Sequence, residues 1–136
     1  MEIIKTRLQS LLKALCTLDE AIALLQNPEY KKIYNSLRDS AIQRFEYSID
    51  NFWKFIKIYI QEKHQIPLET ATPRLILREA VNVNLISESE YELLIKGITN
   101  RNLTSHSYNE EIAQILIEKI PSQYILMKTI IDRLAL

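Results

Sequence analysis

The sequence predicts an all-α protein: an up-and-down four-helix bundle with one extra short helix. Three observations carry that expectation. Gly occurs once and Pro four times in 136 residues, too few breakers for the tight turns of an all-β chain. Leu, Ile, Glu, Lys, Gln and Arg, all good or fair helix formers, dominate the composition. Apolar residues recur at intervals of three and four along most of the length. A chain this long suggests one domain, residues 1–136, able to bury a core without disulfides or metals.

The first helix is expected from about Ile4 to Gln26, with Leu8, Leu11, Leu12, Leu15, Leu18, Ile22 and Leu25 as one apolar stripe. Asn27 to Tyr30, "NPEY", stops it, because Pro28 cannot continue a helix. The second and longest helix should run from about Lys31 to Lys63. Leu37, Ala41, Phe45, Ile49, Phe52, Trp53, Ile56 and Ile60 make its inner face, and Phe55 and Tyr59 widen that face toward a further neighbour. Residues His64 to Pro73 read as a loop.

Thr72 is placed to cap the third, short helix, with Pro73 at its first position. Leu75, Ile76, Ala80 and Val81 should face inward, and the helix fades by Asn84. Ser87 and Glu90 form a capping box for the fourth helix, whose apolar face is Tyr91, Leu94, Ile95 and Ile98. The fifth helix starts near Ser107 to Asn109 and runs to the C-terminus. Ile112, Ile115, Leu116, Ile120, Tyr124, Ile125, Ile130, Ile131 and Leu134 line it, and Pro121 should kink or restart it. No internal repeat or low-complexity linker interrupts this order.

Hydrophobic residues make up 47% and charged residues 25%, the balance of a soluble globular protein. Lys plus Arg equals Asp plus Glu, at 17 each. General nucleic-acid binders are usually basic, so any RNA contact must be local to a cleft. The single cysteine, Cys16, excludes an internal disulfide and a cysteine-based zinc site. Its neighbours Leu12, Leu15 and Leu18 suggest a small buried thiol. Charges at Lys5, Arg7, Lys13, Asp19 and Glu20 interrupt any signal-peptide or membrane-spanning run, so a cytoplasmic protein without membrane contact is expected.

The stretch "RNLTSHSYNEE", Arg101 to Glu111, concentrates chemistry. It carries one of only two histidines in the chain. A continuous helix turns about 100° per residue, so Arg101 and His106 would point about 140° apart. They converge only if the helix stops between them. Thr104, Ser105, Ser107 and Asn109 compete with a helix backbone or cap a new one, and Ser107 and Glu110 have capping-box spacing. Arg101 is therefore expected near one helix end, His106 in the turn, and Tyr108 at the mouth of the next helix.

Two readings fit this turn. In one, Arg101 and Asn102 bond the last helix carbonyls, His106 is ordinary surface and Tyr108 straps the bundle end. In the other, the turn cuts RNA without metal, through attack of a 2′-OH on the adjacent phosphate. A histidine near neutral pKa moves the proton, and an arginine holds the phosphate and offsets transition-state charge. One histidine and one arginine are a thin set, and a two-fold dimer would bring two of each to one cleft.

The residues also carry a resemblance. "RNLTSHSY" is similar to the Arg-x4-His-x-Tyr signature of the HEPN superfamily, in its HepT-like branch. "AIQRFEYSIDNFWK" (Ala41 to Lys54) resembles the second-helix signature of the nucleotidyltransferase substrate-binding proteins, and "PRLILREAVNVNLIS" (Pro73 to Ser87) their third-helix segment. The three segments occur in order, and the resemblance as a whole spans about Leu8 to Leu134. This resemblance implies a homodimer whose partner is a separately encoded minimal nucleotidyltransferase. The pair would be a type VII-like toxin and antitoxin: a metal-independent endoribonuclease, silenced when the nucleotidyltransferase moves AMP from ATP to the motif tyrosine. Carried over by position, Arg101 and His106 are catalytic, Asn102 supports the site and Tyr108 is the AMP acceptor. Glu46, in the matched second-helix segment with Arg44, would orient Arg101 or His106, the alternative being a surface ion pair. The older family name implies a different role, a non-catalytic substrate-binding subunit of a two-component nucleotidyltransferase.

Other groups carry less. His64 should be solvent-exposed, and no Asp/Glu/His set has metal-ligand spacing. Trp53, Phe52, Phe45 and Tyr59 fit a core and dimer seam better than a base-stacking platform. Tyr30 and Tyr34 are candidates for an exposed partner surface. No Gly-rich phosphate loop is present, so no cofactor is expected and the AMP must come from a partner.

Overall fold

Helix α1, Glu2–Gln26, buries the stripe Ile4, Leu11, Ala14, Leu15, Leu18 and Ala21. Their spacings of one, three, four and seven keep them on one side of the cylinder, which makes one face apolar. The computed structural model describes residues 2–68, 72–106 and 109–134, and of 104–106 the backbone alone. Cys16 is exposed, not buried as its leucine neighbours suggest. Position 16 falls beyond the 11/14/15/18 stripe, in the row of Leu12, which is itself 36% exposed.

A 3-10 turn, Pro28–Ile33, follows, with the Asn27 side chain accepting from the Glu29 N–H at 3.0 Å. Pro28 opens the turn, and Tyr30 leaves helical geometry at φ −100°, ψ 20°. Helix α2, Tyr34–His64, therefore starts three residues later than the apolar period alone indicates. It is the centre of the bundle, touching α1, α3, α4 and α5, whose ranges follow. Phe45, Ile49, Phe52, Phe55, Ile56, Tyr59 and Ile60 are all buried. That wide face has more than one neighbour to fill, as Phe55 and Tyr59 imply. Helix α2 ends in a left-handed Gln65, φ 54°.

Helix α3, Pro73–Asn82, starts as read: Thr72 accepts from the Leu75 N–H at 3.3 Å and Pro73 occupies the first turn. Its buried face is Ile76, Leu77 and Ala80, whereas Leu75 is 57% exposed. The inward stripe is rotated by one position from the one expected. Asn84, φ 63°, then reverses the chain, and the Leu85 N–H bonds the Ala80 carbonyl at 2.8 Å. The capping box ahead of α4 is formed on both sides. Glu90 accepts from the Ser87 N–H at 2.8 Å and donates its own N–H to the Ser87 hydroxyl at 3.1 Å.

Helix α4, Glu88–His106, and helix α5, Glu110–Asp132, pack on each other and on α2. The chain's one glycine, Gly97, lies at their crossing. A Cβ there would stand 2.8 Å from Gln123 Cδ, nearer still to its Oε1, and 3.0 Å from Ile49 Cδ1. Gln123 is buried and donates to the Leu93 carbonyl of α4 at 2.8 Å. Helix α5 stays one helix across Pro121, which removes one backbone donor without ending it; no restart occurs. Ile115 and Ile125 face solvent, 51% and 61% exposed, while Leu116, Ile117, Ile120 and Met127 are buried. No helix of the described residues is long and apolar enough to cross a membrane.

Candidate functional site at the junction of helices α2 and α4

Helix α4 carries Arg101 on the side that faces α2. Two carboxylates meet it there. Arg101 Nη1 lies 3.4 Å from Glu46 Oε2, and Nη2 lies 3.2 Å from Asp50 Oδ2, with Nε donating to Asp50 Oδ1 at 3.4 Å. Glu46 and Asp50 are four apart on α2, so one helical row presents both. All three side chains are partly buried, between 25% and 36% exposed. The guanidinium is thus held by two acceptors from a second helix, which fixes its plane, and these three groups together carry one more negative than positive charge.

An open cleft of about 400 Å³ lies against this cluster, lined by Asp50, Trp53, Lys54, Pro73, Ile98, Arg101 and Asn102. Glu46 pairs with Arg101, one of the two groups, Arg101 or His106, that the sequence offers it. Arg44 does not join it. Its guanidinium turns to α1 and donates to the Thr17 carbonyl at 2.7 Å, beside a Thr17–Tyr47 hydroxyl contact. Asp50 went unread in the sequence, although its spacing from Glu46 was a usable signal. Trp53 is partly buried against the core and also lines the cleft.

The turn itself departs from expectation in one respect. Helix α4 does not stop between Arg101 and His106 but runs through position 106. The backbone therefore rotates about 140° between the two positions, and the condition set for their convergence within one chain is not met. Thr104 and Ser105 are poor helix formers, but extending an existing helix is far easier than starting one. Helix α5 is capped by Asn109, which accepts from the Ile112 N–H at 2.9 Å. Ser107 and Tyr108, and the side chain of His106, lie outside the described residues.

Immediately after the turn, Glu110 is gripped by Arg38 of α2, at 2.7 and 3.0 Å. Arg38 is only 3% exposed and also contacts Asp39 at 3.3 Å. The hydrogen bonds that Arg38 donates hold the Glu110 carboxyl below its usual range and raise the Arg38 guanidinium above its own. This bidentate pair fixes the start of α5 two residues from Tyr108. His64 is exposed at the far end of α2, its ring 6.4 Å from that of Tyr59.

Residues 6–135 match the model of a family described as nucleotidyltransferase substrate binding protein like. The chain belongs to this family. No curated protein matches it in sequence. Among solved structures, a Thermus thermophilus protein is 37% identical, with a TM-score of 0.78 over 90% of this chain and 97% of that one. A tri-AMPylated Shewanella oneidensis HEPN toxin in complex with its MNT antitoxin is 18% identical, with a TM-score of 0.67 over 90% of this chain and 93% of that one. A toxin–antitoxin crystallised with AMP-PNP is similar to the same degree, 18% and 0.67, over 90% and 95%. At those identities the likeness is one of fold. This substrate-binding family member therefore shares the all-α bundle of those proteins.

Proposed function

We propose that the chain is the HEPN-type toxin of a type VII-like toxin–antitoxin pair. In this reading it is a metal-independent endoribonuclease, neutralised when a cognate minimal nucleotidyltransferase transfers AMP to Tyr108. The observation that carries the reading is the Arg-x4-His-x-Tyr set at the α4–α5 junction, in a chain that matches the family from residue 6 to 135. The anchoring of Arg101 by Glu46 and Asp50 supports it, because a phosphate-holding arginine works best when its plane is already set.

The chemistry balances without a metal or water. His106 takes the proton from a ribose 2′-OH, and that oxygen attacks the adjacent phosphorus. Arg101 bonds the non-bridging oxygens, whose charge grows in the transition state. The 5′ oxygen leaves as it takes that proton back from the His106 imidazolium, giving a 2′,3′-cyclic phosphate and a 5′-OH. Because α4 separates positions 101 and 106 by about 140°, the working pair comes from two copies of the chain, Arg101 of one and His106 of the other across a two-fold axis. An AMP on Tyr108 adds a phosphodiester charge and a bulky nucleoside at the start of α5, where it blocks RNA entry. Asn102, on the cleft rim, supports the bound strand.

A second reading has a specific observation in its favour. Arg101 already has two carboxylate partners, and the uninterrupted α4 sets positions 101 and 106 about 140° apart on one chain. Both suit a non-catalytic substrate-binding subunit of a two-component nucleotidyltransferase. Intact-mass spectrometry separates the readings when the chain is incubated with its partner nucleotidyltransferase and ATP, beside Tyr108→Phe. AMP increments lost in the variant, with RNA cleavage by the unmodified protein lost in His106→Ala, are the expected result. A stable complex with neither increment nor cleavage would establish the binding subunit instead.

A further inference from the structure

We propose that the cleft beside Arg101 is a base-stacking subsite for single-stranded RNA, with Trp53 as the platform for the base next to the phosphate that Arg101 holds. This rests on the reading of RNA as the substrate. Glu46, Asp50 and Trp53 stand at i, i+4 and i+7 of α2, one row of the helix. The ring therefore lies one turn past the carboxylates that fix Arg101. The core does not need this ring exposed: Phe52, Phe55 and Ile56 beside it are essentially fully buried, whereas Trp53 is packed on one side and open on the other.

The rest of the cleft suits a nucleotide. Pro73 and Ile98 give it apolar walls, and its volume of about 400 Å³ lies in the range of small-ligand sites. Lys54 Nζ lies 5.8 Å from the Trp53 ring centroid. Its long, flexible chain can yield the ring face to a base and carry its ammonium to the flanking phosphate. Stacking on an aromatic face is tolerant of sequence and outweighs one exposed cation–π contact. The arrangement also accounts for RNA contact by a chain of zero net charge: the grip is aromatic and local rather than a broad basic surface. The larger hollow between α4 and α5, lined by Lys96, Lys119 and Gln123, has cations but no ring.

Trp53 is the only tryptophan, so fluorescence excited at the red edge, where tyrosine does not absorb, reports on this site alone. The dimeric protein would be titrated with AMP, with ribose 5-phosphate, and with a 2′-O-methyl tetranucleotide that cannot be cut. Saturable quenching by AMP and the oligonucleotide, and none by ribose 5-phosphate, is expected. Trp53→Ala, checked for fold by circular dichroism, should bind a fluorescein-labelled oligonucleotide about tenfold more weakly or worse, with Trp53→Phe recovering most of the loss. Equal quenching by ribose 5-phosphate, no quenching at millimolar AMP, or unchanged binding by Trp53→Ala would overturn the proposal. Quenching without cleavage of unmodified RNA would leave the subsite standing and remove the nuclease reading. Cleavage without any Trp53 response would do the reverse.

Discussion

At Gly97, three atoms decide what a single methyl group would do. Alanine is the better helix former by about 1 kcal/mol, yet its Cβ would stand 2.8 Å from Gln123 Cδ and nearer still to Oε1. Overpacking of that kind costs roughly 1–3 kcal/mol, so Gly97→Ala should be destabilised by about 1 kcal/mol net in urea unfolding. With Gln123 truncated, the remaining obstacle is Ile49 Cδ1 at 3.0 Å, which a small shift relieves. The Gly97→Ala step should then be close to neutral in a Gln123→Ala background, a coupling that a double-mutant cycle reads directly. At this scale the sequence was partly transparent. Glu46 could be named as a partner of Arg101, while Cys16 could not be placed, because residues adjacent in sequence lie on different faces of a helix. Trp53 shows the same limit: hydrophobicity marks a ring as wanting burial but not which of its faces a neighbour covers.

Helix ends were legible where the signal was local and chemical. Thr72 with Pro73, and Ser87 with Glu90, each complete a cap within four residues, and both caps form as the sequence indicates. The end of α4 was not legible, since serine and threonine can terminate a helix or be carried along by it, and tertiary context decides. At the other end of α2, Gln65 holds a left-handed conformation, φ 54°, which disfavours a side chain with a Cβ. Gln65→Gly should raise stability by about 0.5–1 kcal/mol after the added freedom of the unfolded chain is counted, seen as a higher urea midpoint with unchanged slope. Asn84→Gly should gain less, because asparagine tolerates that region. Arg38 acts on the element that follows the turn. Arg38→Met should loosen the first turn of α5, with faster hydrogen exchange at Ile112 and Ala113 while the amides of α1 are unaffected.

For the molecule as a whole, three carboxylates tie helices together. Glu88 bonds Arg78 of α3 at 2.8 Å, Glu90 bonds Arg133 at 2.5 and 2.9 Å, and Glu110 bonds Arg38. In each case the arginine hydrogen bond is the main cause that lowers the carboxyl pKa below its ordinary value. A depressed folded-state pKa adds stability above the unfolded value of about 4.3, and that stability is lost as pH falls through the folded value. The urea midpoint should therefore hold from pH 7 to about 5 and drop below about 4. Glu90→Gln should lower the neutral midpoint and shrink the acid drop. Arg133 also reaches the Leu85 carbonyl at 2.9 Å, so this tie closes the α3–α4 turn against the end of α5. The bundle and its helix order were readable from composition and period. The longer charge ties were not, since no local pattern links positions 43 or 72 residues apart.

The clamp on Arg101 bears on how loss-of-function experiments are interpreted. Truncating that side chain removes more than the proposed phosphate-holding group: it takes away the cation that stands between Glu46 and Asp50, four apart on one helix. Like charges at that spacing repel by roughly 0.2–0.5 kcal/mol. Arg101→Ala should thus be less stable than the parent at pH 7, seen as a lower urea midpoint. In a growth assay of the proposed toxin, rescue by that substitution has two sources, less folded protein or a silent enzyme. Arg101→Ala combined with Glu46→Gln and Asp50→Asn removes the repulsion along with the guanidinium. Compared at matched soluble yield, it is the control that tells a missing reaction from a missing molecule.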